Sequence, residues 1–414
     1  MIILGNKIER EIITTFLLSL VGLSVFLPIK ISSVLIIIAT ANSLINKNFI
    51  NNLKQLFINK ISISFLLFFG LIVISALFST NQTSAISNVE RRLSFLVFPL
   101  IFSGGVTLNQ VKKIVLSFCF GAFIALFYCI AVAIYKTKTT ENMDAFFYHN
   151  LSAALSLNAI YLSIYCVFSI FALLYYYNDL EKNYKIWVII MIIFLSASVI
   201  LLSSKNLLIV LVIGILFFLI KRFKTGNKFL LLLPILLVLF TQIKPVKERF
   251  LIEINANMNV IKQDTFRYDT PFTGLTLRLV IWKNSITILN ENNAWLLGVG
   301  IGNFQDLLNK KYVQKGMYTG NVQLGDTGYW GYNTHNQWVE TMLALGIVGL
   351  LLLITIFCLI FYYYLQQKQV LGLFLFFILV SVSLTESVIS ANKGIVFFTF
   401  FLLLFSSSFR KIIS

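Results

Sequence analysis

Apolar runs of roughly 16–25 residues follow one another along almost the whole chain, and they constrain the fold more than any motif does. A hydrocarbon core of about 30 Å is crossed by about 20 residues of helix. Inside it every backbone N–H and C=O must be satisfied within the protein, which leaves helices or closed barrels. The runs are continuous rather than alternating, so a barrel is excluded. With 12% charged residues and a mean hydropathy of +0.87, a soluble globular domain is excluded as well. The expected fold is all-α, a polytopic integral membrane protein with about twelve transmembrane helices. They fall at about 11–28, 30–46, 61–79, 93–108, 114–135, 154–177, 185–203, 205–220, 228–243, 338–365, 370–388 and 393–409. Residues 1–243 then carry the first nine, 338–414 the last three, and 244–337 form one long loop within a single membrane domain.

Charge sets the orientation. With the N-terminus inside, Lys7, Arg10, Lys54, Lys60, Lys112, Lys113, Lys182, Lys185, Arg410 and Lys411 fall on the cytoplasmic side, and the short outer loops are poorer in Lys and Arg. Both termini are thus expected in the cytoplasm, with 244–337 facing outward. Arg91-Arg92 runs against this bias. Much of the net charge of +17 lies in the cytoplasmic loops, so membrane lipids, and not nucleic acid, are the expected partners. Lys7 and Arg10 precede an apolar run with no small-residue cleavage site, which reads as a retained first helix. Cys119, Cys129, Cys166 and Cys358 lie inside apolar runs as small buried hydrophobes.

The segment 244–337 is the one break in composition. Within it 275–290 reads as a helix lying along the membrane surface, with Leu275, Leu279, Trp282, Ile286 and Leu289 on one face. Gly298-Val299-Gly300-Ile301-Gly302-Asn303-Phe304 has the wrong spacing for a dinucleotide fingerprint and reads as a chain-reversing turn.

Few residues can carry chemistry. His335 is one of two histidines. Thr334 and Gln337 form a capping-box pattern that puts it in the first turn of the tenth membrane helix, with Trp338 at interface depth. Arg278 stands one turn before Trp282. Lys205 lies in the tight turn Leu201-Leu202-Ser203-Ser204-Lys205-Asn206, at a depth where a cation is a functional candidate by default. Glu340 and Glu386 are acids just inside outer helix ends, placed to pair with Lys205 or Arg278. Tyr318, Tyr329, Trp330 and Tyr332 precede His335 and offer faces on which sugars stack. His149, on another outer loop, ranks second to His335. No carboxylate dyad, nucleophile–base pair or metal-ligand spacing is visible, so neither a metal nor another cofactor is expected.

These residues resemble the O-antigen ligase and O-antigen polymerase superfamily of bacterial surface-polysaccharide enzymes. The ligase tail motif is His-Asn, nine residues, then Gly-x-x-Gly, and here His335-Asn336 is followed at that spacing by Gly346 and Gly349. Arg278 with Trp282, ahead of the glycine turn, is similar to the family's loop arginine. Ser204-Lys205 stands where an arginine after serine is usual, and Arg249 in Glu248-Arg249-Phe250 resembles a second loop arginine. The resemblance implies an all-helical membrane glycosyltransferase, similar to type C, in the bacterial inner membrane with its active site facing the periplasm. Its donor would be an undecaprenyl-pyrophosphate-linked glycan. In a ligase the acceptor is a lipid A–core hydroxyl, and in a polymerase another lipid-linked repeat unit.

The residue types suit that reaction. A sugar hydroxyl gains from a general base, for which His335 is the candidate. Pyrophosphate leaves without an acid, and fixed cations at Arg278, Lys205 and Arg249 replace a metal. Asn336, Trp282 and Glu340 support the site, and a single displacement with inversion is expected. A flippase for the same lipid would need cations along a path through the bilayer, whereas these lie at one rim. A structural or sensor protein would not need the set.

Overall fold

The computed structural model describes residues 2–46, 48–223, 247, 251–252, 255–321 and 326–408. Among them the protein is helical, with one isolated bridge between Asn321 and Asp326 and no named strand. In chain order the helices are α1 (Ile2–Leu23), α2 (Ile29–Leu44), α3 (Phe49–Ile58), α4 (Lys60–Leu77), α5 (Gln82–Arg91), α6 (Ser94–Phe102), α7 (Leu108–Thr140) and α8 (Tyr148–Ser152). There follow α9 (Ala159–Tyr176), α10 (Lys182–Leu201), α11 (Lys205–Phe223), α12 (Gly274–Glu291), α13 (Phe304–Gln314), α14 (Gln337–Gln366), α15 (Val370–Ser383) and α16 (Asn392–Ser407).

Five described helices are long and apolar enough to cross a membrane: α4, α7, α9 with the turn after it, α10 and α14. A sixth arises if α2 and α3, bent by 106°, count as one broken span. Lys205–Phe218, α15 and α16 are apolar but shorter. Several expected spans therefore take a different form. The span read at 93–108 is the nine-residue α6, containing Pro99 and followed by Gly104-Gly105. The span read at 154–177 begins only at Ala159, because Ser156 turns left-handed at φ 52°. The span read at 370–388 ends at Ser383, and 384–391 form a turn. The span at 228–243 lies outside the described residues.

Burial is graded from the middle outward. α16 is buried on every side from Gly394 to Ser407, as a helix hydrophobic all round must be, and α9 is nearly so. Phe118, Tyr165, Phe168, Phe397 and Phe401 meet there as tilted and edge-to-face aromatic pairs. The outer helices instead expose Phe120, Ile124, Phe127, Trp187, Ile193 and Ile213, a surface suited to lipid rather than water. Cys358 is also exposed on this surface, unlike the other three cysteines, which are buried as expected.

In the segment 255–336, α12 occupies the residues expected to be helical, capped by a Thr273–Thr276 box. Of the apolar stripe read from the sequence, only Leu289 is fully buried. Thr276, Val280, Ile281, Asn284, Ser285 and Ile288 point inward, whereas Leu275 and Ile286 are exposed. Ser285 satisfies its hydroxyl on the Ile281 carbonyl, which lets a polar side chain sit on the packed side.

Candidate active site

His335 sits between two segments that the fold zips together. The expected capping box does not form, because a better cap stands two residues further on. Asn336 accepts from the N–H groups of Trp338 and Val339, so α14 starts at Gln337 and His335 lies before the cap. Thr334 Oγ1 turns instead to the Asn336 carbonyl (2.9 Å) and Ser387 Oγ (3.3 Å). Gln337 Oε1 accepts from Ile389 N–H at 2.8 Å, and Asn336 Nδ2 donates to the Leu384 carbonyl at 3.2 Å. Residues 334–337 are thus fastened to the 384–391 turn on either side of Glu386.

The consequence is a bridge. Glu386 Oε2 lies 3.2 Å from His335 Nδ1, and its Oε1 lies 3.1 Å from an Arg278 terminal nitrogen. A carboxylate only accepts, so Nδ1 carries the proton, and in the neutral ring it is the other nitrogen, Nε2, that keeps its lone pair. His335 has φ 46°, a left-handed conformation uncommon for a residue with a side chain. The Asn333 side chain holds that turn by accepting from His335 N–H at 3.0 Å. The ring is edge-on to Tyr332, with Tyr329 and Phe272 continuing the aromatic row. Tyr332 and Trp330 are exposed beside it.

α12 supplies both other contributors from one face, since Arg278 and Trp282 are four residues apart. Trp282 Nε1 donates to the Thr334 carbonyl at 2.8 Å, a second hold on the turn besides Ser387. Arg278 also donates to the Gly274 carbonyl, while its Nε is buried with no hydrogen-bond partner among the described residues. Lys205 is the half-buried first residue of α11. Its neighbour Asn206 donates to the Ser381 carbonyl (2.7 Å) and Thr385 Oγ1 (3.0 Å), so the start of α11 lies against the residue preceding Glu386. Arg278, His335 and Lys205 are therefore gathered at one end of the bundle. Arg249 lies outside the described residues.

Two placements differ from the sequence reading. Glu340 pairs with neither Arg278 nor Lys205. It is buried one turn inside α14, 3.7 Å from buried Arg92, and also bonds Ser390. Arg92 is held by the Asn88 side chain and carbonyl, and Asn88 reaches the Ile301 carbonyl. This explains how an arginine that opposes the charge bias is accommodated: it is paired in the interior rather than solvated. Glu340 thus stiffens the 384–391 turn from behind instead of joining the bridge. His149 caps α9, its Nδ1 accepting from Ala159 N–H. Glu386, expected to pair with Lys205 or Arg278, does reach Arg278, and what the sequence reading missed is its second partner, His335.

The glycines of the tail motif have a separate structural role. Gly346 breaks α14 at φ 64°, ψ −165°, and the turn 295–300 fills the gap. Val299 N–H and Gly300 N–H donate to the Leu343 and Ala344 carbonyls, and Ile347 N–H donates to the Trp295 carbonyl. The approach is backbone on backbone: a Cβ at Gly346 would lie 2.3 Å from the Leu296 carbonyl oxygen, and one at Gly298 only 2.4 Å from Ala344 and Leu345. The Gly298–Phe304 stretch is the expected chain reversal, and the motif glycine of α14 is what it docks against.

A bundle of apolar helices, with a histidine, a bridging carboxylate and cations collected at one end, defines a membrane protein with an enzyme-like polar site. Residues 189–354 match the family model described as Wzy_C, O-antigen ligase, so this segment carries the domain of the O-antigen ligase superfamily. The match runs from α10 through Lys205, Arg278, Trp282 and His335 to Gly346 and Gly349, and the family indicates a glycosyltransferase-type enzyme. No curated protein matches the chain.

Proposed function

We propose that the protein is an O-antigen ligase-like transferase that moves a glycan from undecaprenyl pyrophosphate to a hydroxyl of a lipid A–core acceptor at the periplasmic face of the inner membrane. The observation that carries this reading is the Glu386 bridge. One carboxylate orients the imidazole and, through its other oxygen, fixes a guanidinium beside it. His335 Nε2 takes the proton of the acceptor hydroxyl as that oxygen attacks the anomeric carbon. The bond to the pyrophosphate oxygen breaks in the same step, with inversion, and the imidazolium that forms is stabilised by Glu386. The leaving group is a poor base and needs no acid. Arg278 and Lys205 stabilise the charge developing on it, a role that in other phosphate chemistry falls to a metal. Exposed Trp330 and Tyr332 offer stacking faces for the glycan.

In this reading the polypeptide spans the bilayer about twelve times, with both termini in the cytoplasm. Broken and short helices such as α2–α3, α6, α15 and α16 complete the bundle. The acceptor decides between ligation and polymerisation, since both need the same base and cations. Glycan analysis of a deletion strain tests the assignment. Long chains retained on undecaprenyl pyrophosphate with bare lipid A–core are expected. Single repeat units reaching lipid A–core would make the protein a polymerase, and unchanged glycans would remove it from this chemistry.

A further inference from the structure

The stretch from Asn292 to Gln305 carries no charge, and the side chains at its tip, Trp295-Leu296-Leu297, turn outward. Leu296 and Leu297 are 63% and 61% exposed, and Trp295 is 44% exposed. The indole N–H of Trp295 donates to the Asn290 side chain at 2.8 Å, so the exposed ring asks nothing of water. An outward apolar cluster in a segment otherwise rich in polar groups needs something to cover it.

Two helices fix the height of this tip along the bundle. Where Gly346 breaks α14, the Ile347 and Val348 N–H groups donate to the Trp295 and Leu296 carbonyls. A break in a span has to be closed within the protein, because lipid offers no hydrogen bonds. About 30 Å of helix separate Gly346 from the end of α14 at Gln366, which is one hydrocarbon thickness. On the other side, the Ile301 and Gly302 N–H groups donate to the hydroxyls of Ser75 and Ser79 at 3.0 Å. These serines stand at the end of α4, a helix about 27 Å long. Both helices therefore put the tip at the edge of the hydrocarbon core on the His335 side. Below it, Ile347, Leu351, Ile354 and Cys358 are exposed at helical spacing, a lipid-facing stripe of α14 with Leu296 at its top.

We propose that Trp295, Leu296 and Leu297 form a membrane anchor, in which the two leucines enter the acyl chains of the bilayer and the indole lies at headgroup level. The occupant is lipid rather than a second protein because the tip continues the α14 stripe, which a span in a bilayer presents to acyl chains. Ala294 N–H donates to the Leu289 carbonyl in the last turn of α12, so the anchor follows directly on the helix that carries Arg278. The end of α12 is thereby fastened to the bilayer, whatever the reaction at His335.

Depth-dependent fluorescence quenching of the full-length protein in phospholipid vesicles tests this. Cys358→Ser removes the exposed thiol. An environment-sensitive fluorophore is then attached through Leu297→Cys or, as the reference in water, through Lys310→Cys on exposed Lys310 of α13. The Leu297→Cys probe should emit at shorter wavelength than the reference and be quenched less by aqueous iodide. Lipids with a nitroxide near the headgroup should quench it more strongly than lipids with a nitroxide near the chain end. Should Leu297→Cys not be recovered folded, Leu296→Cys carries the same test, because both side chains point away from the packed interior. A probe quenched by iodide as fully as the reference would overturn the proposal, and stronger quenching from the chain-end nitroxide would overturn the level assigned to the tip. A blue-shifted probe that neither nitroxide lipid quenches would also overturn it, since another protein surface would then cover the turn.

Discussion

His335, Arg278 and Trp282 were legible as candidates because each is a chemically unusual residue at a boundary, and type and spacing were enough to single them out. Glu386 was legible only as a partner for Arg278 or Lys205, and its contact with His335 was not, because it lies 51 residues away and only packing brings it there. Its role predicts a particular defect. Glu386→Gln keeps the size of the side chain but loses the charge that stabilises an imidazolium. Transfer should fall on the order of tenfold or more through kcat, with acceptor KM little changed. A rise in KM alone would make Glu386 a binding residue instead. The cations are distinguished by geometry. Arg278→Lys should lower activity despite its retained charge, since an ammonium cannot grip both Glu386 and a phosphate through a planar fork, whereas Lys205→Arg should be tolerated. Loss of activity in the second variant only, measured in the same transfer assay, would contradict both assignments.

At the scale of elements, the apolar runs located most helices, but their ends were set by side chains the periodicity does not rank. Thr334 and Asn336 are both good caps two residues apart. Asn336 wins because Thr334 is drawn into the Ser387 contact, which moves His335 out of the helix and into a left-handed turn. The packed face of α12 was not legible for a similar reason: Thr276, Asn284 and Ser285 pack inward, and hydropathy alone assigns such residues to the outside. The segment itself is pinned by polar contacts such as Lys283 to Asp264 at 3.1 Å, which hold the Asp264 carboxyl below its usual range. The family's glycine spacing pointed to Gly346, but the reason for it lies in the docking of the 295–300 turn into broken α14. Gly346→Ala should therefore cost more than the ~1–3 kcal/mol of holding an alanine in this essentially glycine-only conformation, because the added methyl also meets backbone rather than a movable side chain. A fall in apparent Tm of the detergent-solubilised protein, with loss of transfer, is the expected reading. A variant as stable as wild type would mean that the turn can withdraw without consequence.

At the scale of the molecule, one end of the bundle gathers His335, Glu386, Arg278 and the start of α11. Hydropathy could show that the chain is membrane-embedded and helical. It could not show which helices stop short, because an apolar run reads the same whether it crosses the bilayer, bends as α2 and α3 do, or is buried whole like α16. The orientation has a simple check in spheroplasts. A cysteine at exposed Tyr268 should react with a membrane-impermeant maleimide, and one at exposed Asn51 only after permeabilisation. The reverse pattern would turn the site toward the cytoplasm, away from a periplasmic acceptor. The central claim is that this end of the bundle transfers glycan with His335 as the base. The most direct measurement is transfer of glycan from polyprenyl pyrophosphate to acceptor by purified wild-type protein and His335→Ala in nanodiscs, at matched amounts of folded protein. Wild type should transfer, and the variant should fall by about 10² or more. Transfer by His335→Ala within about tenfold of wild type would contradict the account, since a general base is worth more than that.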